Sequence, residues 1–237
     1  MTEQARVAPR IRGGAAVRSI FLVLGLFLFA LGIVLLLESG LGLSPWDVLN
    51  QGVSEHTPLS FGAANVAIAA GVVAIAWRLG ARIGPGTLAN AVGIGVFVDL
   101  LLRAQAVSDL SDAGLVGRAA LLGGGIALIG LATALYIGAG MGAGARDSLM
   151  LVLAQRTSNR VGVVRAALEV AVTVVGFTLG GTVGIGTIAF ALAIGPTVEA
   201  AFSLLARSPL AVSLSRERAS TAPEVSGVPG AGRATQS

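Results

Sequence analysis

The sequence predicts an all-α, polytopic membrane protein of about six transmembrane helices, arranged as a 3+3 inverted repeat with two short half-helices. Three observations lead there. Only 12% of the 237 residues are charged while 54% are hydrophobic, and mean hydropathy is +0.86. Six apolar runs are long enough to cross a bilayer. The chain also aligns with itself, without a gap, when shifted by 100 residues.

The composition sets the solvent. Water-soluble domains carry about 25% charged residues. A chain with half that share cannot cover a water-facing surface, so the lipid bilayer is the expected partner. The absence of cysteine excludes a disulfide framework, a thiolate metal site and a Cys nucleophile. All 16 basic residues are arginine and the net charge is +4. That charge does not imply nucleic acid, because the arginines fall in tails and short loops beside the apolar runs. The basic start MTEQARVAPRIRGG before an apolar run resembles a signal peptide. The run ends in ESGLG with no small-residue cleavage site, and five more runs follow, so it is expected to remain as the first span.

The apolar runs lie at 20–37, 61–77, 86–102, 119–137, 161–179 and 186–205. Each has about 17–20 residues, enough to cross a core about 30 Å thick at 1.5 Å per residue. Two shorter segments stand apart, 45–55 and 145–156. At about 17 Å they are too short to span, and they fit re-entrant half-helices or interfacial helices. The chain therefore divides into a basic N-terminal tail (1–17), a first membrane repeat (18–105), a second (118–207) and a Ser-, Gly- and Pro-rich tail (208–237) expected to be disordered.

The repeat is the strongest signal. SGLGLSPWDVL at 39–49 lies over AGMGAGARDSL at 139–149, and positions 40–99 match their counterparts at 18 of 60 sites. Composition alone would give roughly six. The match extends upstream through Arg18/Arg118, Gly25/Gly125 and Leu35/Leu135. With three spans per half and both termini inside, fourteen arginines lie inside, Arg146 among them, and only Arg103 and Arg118 lie outside. Letting the short helices span would give eight crossings and push Arg78 and Arg82 outside. Three spans is an odd number, so the halves must be inverted, an architecture common in secondary transporters.

Candidate site residues follow from this plan. Ser44 suits an N-cap, Pro45 the first helical position and Asp47 the third; Gly144, Ala145 and Asp147 occupy the same slots. Asp47 and Asp147 either cap their helices and answer the helix dipole, or line a site where two half-helix N-termini meet. Arg165 and Glu169 sit four residues apart within a span and suit an ion pair on one helix face. Their first-half counterparts are Asn65 and Ala69, so this feature breaks the symmetry. Asp99 and Glu199 are matched acids near span ends, explained by snorkelling to the interface. The Gly-x-x-x-Gly pairs 80/84, 176/180 and 180/184 and the run Gly123–Gly125 are read as close helix packing. The glycines at 140–144 follow no strand and are no dinucleotide fingerprint. His56 beside Glu55 is a poor metal site. No catalytic constellation appears, so an enzyme, a cofactor and a metal centre are not expected.

The LGLSPWDVL segment, Thr133-Ala134-Leu135-Tyr136, Gly144-Ala145-Arg146-Asp147, Glu169-Val170 and the GGTVGIGT run at 180–187 together resemble the YczE-type bacterial membrane proteins, related to the YitT/YyaS group. The resemblance covers about 18–205. It implies a multi-span bacterial inner-membrane protein and no particular substrate. The leading expectation is a small transporter or permease for an unidentified small molecule or ion, with a site formed by Asp47, Asp147, Arg165, Glu169 and Asn65. The alternative is a non-transporting scaffold or regulator of a biosynthetic or export system.

Overall fold

The structure, a computed structural model, describes residues 9–107 and 114–211. Among them are eight α-helices and no strand: α1 (Ala15–Ser39), α2 (Pro45–His56), α3 (Phe61–Arg78), α4 (Pro85–Arg103), α5 (Leu115–Gly138), α6 (Ala145–Thr157), α7 (Val161–Thr178) and α8 (Ile185–Arg207). Six are long and apolar enough to cross a membrane, all but α2 and α6. The protein is thus an all-helical membrane protein with six candidate spans and two short helices between them. Arg6, Asp109, Asp112 and the tail beyond 211 lie outside the described residues.

The bundle is organised on α1 and α5, which pack antiparallel along their length. Small residues let the backbones approach. A Cβ on Gly25 would sit 2.9 Å from the Tyr136 nitrogen, and one on Gly125 2.9 Å from the Gly32 oxygen. Leu36 packs against Gly125 and Ile129 against Gly32 in the seam, and both are almost fully buried. Arginines bolt both ends. Arg18 donates to the carbonyls of Ala139 and Gly140 at 2.5 and 2.6 Å, and Arg118 to those of Ser39 and Gly40 at 2.6 and 2.7 Å. These are the carbonyls left over at helix C-termini. Gly40 (φ +58°) and Gly140 (φ +63°) turn the chain there in a left-handed conformation.

The chain enters and leaves each short helix by one face of the bundle. The turn into α2 rests on the N-terminus of α8, where the Gly186 amide donates to the Leu41 carbonyl at 2.7 Å. Later in α2, Gln51 accepts from the Thr182 amide at 2.8 Å. One contact is with the first turn of α8 and the other with the α7–α8 connection beside it, so α2 does not traverse. The turn into α6 repeats this on the opposite face: the Gly86 amide donates to Met141 (2.9 Å), Thr87 to Ala143 (2.5 Å), and Arg156 to Leu79 (2.8 Å). The eight-crossing alternative fails on this geometry. The described chain ends share the face where α1 begins: Ile11 donates to Gly138 at 2.8 Å and Arg12 to Leu210 at 2.6 Å. The first four residues assigned to the C-terminal tail are therefore tied to the bundle.

Two expectations need correction. Of the five glycines with Gly-x-x-x-Gly spacing, only Gly176 packs inside a helix, where its Cβ would lie 2.5 Å from the Leu49 nitrogen of α2. Gly80 (φ +94°) and Gly180 (φ +85°) are turn residues, and Gly84 and Gly184 are the N-caps of α4 and α8. The spacing arose from turn chemistry. In the run Gly123–Gly125 only Gly125 makes a close approach. Asp99 does not snorkel. It accepts from the Ser60 hydroxyl and from the Gly62 amide (2.8 Å), satisfying the N-terminus of α3 from α4. Glu199, its counterpart, is exposed and has no hydrogen bond among the described residues.

Candidate functional site

The turns at 40–44 and 140–144 dip into the bundle from opposite faces, and their half-helices start in the interior. Local chemistry fixes each start. The Ser44 side chain caps α2, accepting from the Asp47 amide at 3.4 Å, and Pro45 supplies a first-turn position that needs no donor. Gly144 takes the N-cap position of α6 with no capping side chain. Any Cβ there would lie 3.1–3.3 Å from Asp147 Oδ2, Tyr136 Oη and Asn90 Oδ1. Those three oxygens thus converge on one glycine, which explains the difference from Ser44 in the first half.

The two N-termini meet. Arg146, second in α6, reaches across to Asp47 Oδ1 at 3.8 Å, and its guanidinium lies 5.1 Å from the centre of the Trp46 ring. Asp47, 1% exposed, also accepts from the Ser44 hydroxyl and from Asn50 Nδ2 at 3.1 Å. Its carboxylate therefore does not cap α2, which Ser44 does; it joins the two halves. Asp147 accepts from the Tyr136 hydroxyl at 3.0 Å. Arg165 donates to Glu169 Oε1 at 2.8 Å, the i,i+4 pair expected from spacing.

These groups surround a cavity of about 200 Å³. All five residues singled out from sequence, Asp47, Asp147, Arg165, Glu169 and Asn65, line it. Phe29, Ile94, Ile129, Phe190, Ile194 and Val198 form its apolar walls. Its charged side chains are three carboxylates and two guanidiniums. Asn65 (4% exposed) and Asn90 (9%) also line it and make no hydrogen bond to a described residue. The buried Trp46 Nε1 and Asn50 Oδ1 are likewise unpartnered among the described residues. Buried polar groups in folded proteins are normally paired, so the cavity carries unspent hydrogen-bonding capacity. No cluster of three or more His, Asp or Glu suited to a metal ion occurs among the described residues.

Sequence reasoning missed several lining residues. Arg146, counted among the loop arginines, is in the cavity, because it follows a re-entrant turn and not a surface loop. Trp46, Asn90 and Tyr136 were not singled out as lining residues either. A signal was present: position by position, Trp46 faces Arg146, Asn90 faces Phe190 and Tyr136 faces Leu36 across the repeat. Polar chemistry placed in one half only marks the cavity.

Fold and cavity define a multi-span membrane protein with two short helices whose N-termini meet at a polar cavity. The chain belongs to the family of unknown function DUF6198, whose model matches residues 16–202. It is 36% identical to an uncharacterized protein of Haemophilus influenzae over 88% of this chain and 97% of that one. It is 35% identical to the uncharacterized membrane protein YczE of Bacillus subtilis, over 74% of this chain and 80% of that one. The uncharacterized protein YyaS of the same organism is 29% identical over 70% and 82%. No solved structure gives a significant match.

Proposed function

We propose that this protein is a small transporter, built as a 3+3 inverted repeat, whose substrate site is the cavity between α2 and α6. One observation carries the reading: half-helices from opposite halves start within the bundle, and their N-termini meet in a polar cavity with two amides unpartnered among the described residues. Discontinuous helices whose ends meet between inverted repeats are the site architecture of many secondary transporters. The reciprocal bolts Arg18 to 139–140 and Arg118 to 39–40 support the two-fold relation, since contacts that repeat when the halves exchange are what such an axis requires. The size of the cavity suits an ion or a small metabolite, below the roughly 300 Å³ where drug-sized sites begin. Arginine excess at the face where both chain ends lie supports a bacterial inner-membrane protein with cytoplasmic termini.

The natural absence of cysteine allows a direct test. A Thr133→Cys variant places a single thiol on the cavity wall. A transporter exposes it to a membrane-impermeant maleimide applied to either face of oriented vesicles; labelling from one face only, under every condition tried, would defeat the reading. In proteoliposomes screened across ions and small metabolites, Asp47→Asn and Asp147→Asn should abolish whatever uptake the parent shows, while thermal stability confirms folding.

A further inference from the structure

The two halves differ in one respect that their shared pattern makes conspicuous. In the first half, α3 and α4 pack backbone to backbone. A Cβ on Gly62 would lie 2.1 Å from the Gly95 oxygen, and one on Gly95 2.4 Å from the Gly62 oxygen. Asp99 then latches the seam by accepting from Ser60 and from the Gly62 amide. The second half keeps the same parts, Gly162, Gly195 and an acid at 199. Yet a Cβ on Gly162 or Gly195 would meet nothing within 4 Å, and Glu199 is exposed without a partner among the described residues. The α7–α8 seam is open.

Three further features belong to the open side. Pro196 interrupts the hydrogen-bond ladder of α8 beside Gly195, where α4 has Val96; proline within a helix removes a bond and permits a bend. Thr197 of α8 leans into α5 at Gly130, where a Cβ would lie 2.5 Å from its Cγ2; the first half has Ala30 there. The flanking walls carry cavity residues, Arg165 and Glu169 on α7 and Ile194 and Val198 on α8. The open seam therefore lies at the cavity, on the face where the chain ends are, and the closed seam lies toward the opposite face.

We propose that the α7–α8 seam is the cavity's gate, and that it closes when Gly162 meets Gly195 and Glu199 meets the N-terminus of α7, as their counterparts in α3 and α4 already do. Packed interfaces of this kind have discrete arrangements, not a continuum. Exchange of the two states, one seam open while the other is shut, is what an inverted repeat offers for alternating access. The inference deepens the transporter reading and rests on it only for the second seam's opening.

The test uses the full chain in vesicles. Arg160 and Glu199 are exposed, so Arg160→Cys/Glu199→Cys should fold normally; Ser60→Cys/Asp99→Cys serves as the pair already in contact. Both pairs should form a disulfide with copper phenanthroline. In a chain carrying all four thiols, a single molecule should form one or the other, not both. A Thr133→Cys reporter, labelled from the chain-end face, should lose reactivity about tenfold or more once 160 and 199 are oxidised before labelling, as expected when the exposing state is held at or below 10%. Failure of the 160/199 pair to oxidise while 60/99 does, or an unchanged labelling rate after it has oxidised, overturns the gate. Oxidation of 160/199 with reporter labelling confined to one face supports the gate and removes the transporter.

Discussion

Asp99 and Glu199 are a matched pair of acids with opposite circumstances, and Asp99→Ala against Glu199→Ala turns that into a measurement. Asp99 makes two hydrogen bonds: one from the part-buried Gly62 amide at 2.8 Å and one from the exposed Ser60 hydroxyl. A bond to a charged acceptor contributes about 1.5–3 kcal/mol when sheltered. Taking about 1.5 kcal/mol for the amide and about 0.5 kcal/mol for the solvent-facing hydroxyl, the loss is about 2 kcal/mol. The N-terminus of α3 also regains an unsatisfied donor. For a chain of this size each kcal/mol moves the midpoint by about 2–4 °C. Asp99→Ala should therefore unfold about 4–8 °C earlier in detergent micelles, followed by static light scattering or loss of the monodisperse peak. Asp99→Asn, which keeps an acceptor oxygen for the amide, should recover about half of the shift. Glu199→Ala, with no partner among the described residues to lose, should stay within about 0.5 kcal/mol of the parent. Equal shifts for the two alanine variants would refute the asymmetry on which this rests.

Arg18→Leu and Arg118→Leu should each cost about 2–4 kcal/mol, because each leaves two helix-end carbonyls without a charged donor; similar losses of thermal midpoint in both are expected, and an effect at one end only would argue against reciprocal bolts. Gly176→Ala should destabilise by about 1–3 kcal/mol, since its Cβ would overlap the α2 backbone at 2.5 Å, whereas Gly123→Ala, with open space around it, should be neutral or slightly stabilising. Tyr136→Phe removes the hydroxyl that donates to Asp147; a stability loss of about 1–3 kcal/mol in the same thermal assay is expected from the carboxylate oxygen left without it.

The plan of the fold was legible because it depends on local quantities. Length and hydropathy located the spans, and the N-cap signals located the short helices to within a residue or so: 45–55 and 145–156 against Pro45–His56 and Ala145–Thr157. The 100-residue offset located matching parts. It said little about what those parts touch. Asp99 and Glu199 align, and one latches a seam while the other has no hydrogen bond among the described residues. Gly95 and Gly195 align, and one is buried against a backbone while the other faces open space. Arg146 looked like a loop charge because a re-entrant turn and a surface loop share the same glycines. In each case the deciding neighbour lies far along the chain, as with Thr87 and Ala143, 56 residues apart, or Arg18 and Gly140, 122 apart. Spacing within one segment carries no information about such partners.

The cross-stitching of short helices to distant turns sets a timetable for synthesis. Gln51 of α2 waits for Thr182, 131 residues further on. At about 5–20 residues per second that is a delay of roughly 7–26 s. Through that interval α2, with Asp47 and Asn50 on it, has neither its supporting turn nor the Arg146 that later faces it. A helix so polar is a poor guest for bare lipid, so the nascent chain must shelter it at the translocation machinery or at the headgroup layer. α6 meets no such delay, because Thr87 and Leu79, its supports, are already made when it emerges. The two halves share a pattern, but the ribosome delivers them as a half that waits and a half that finds its place prepared.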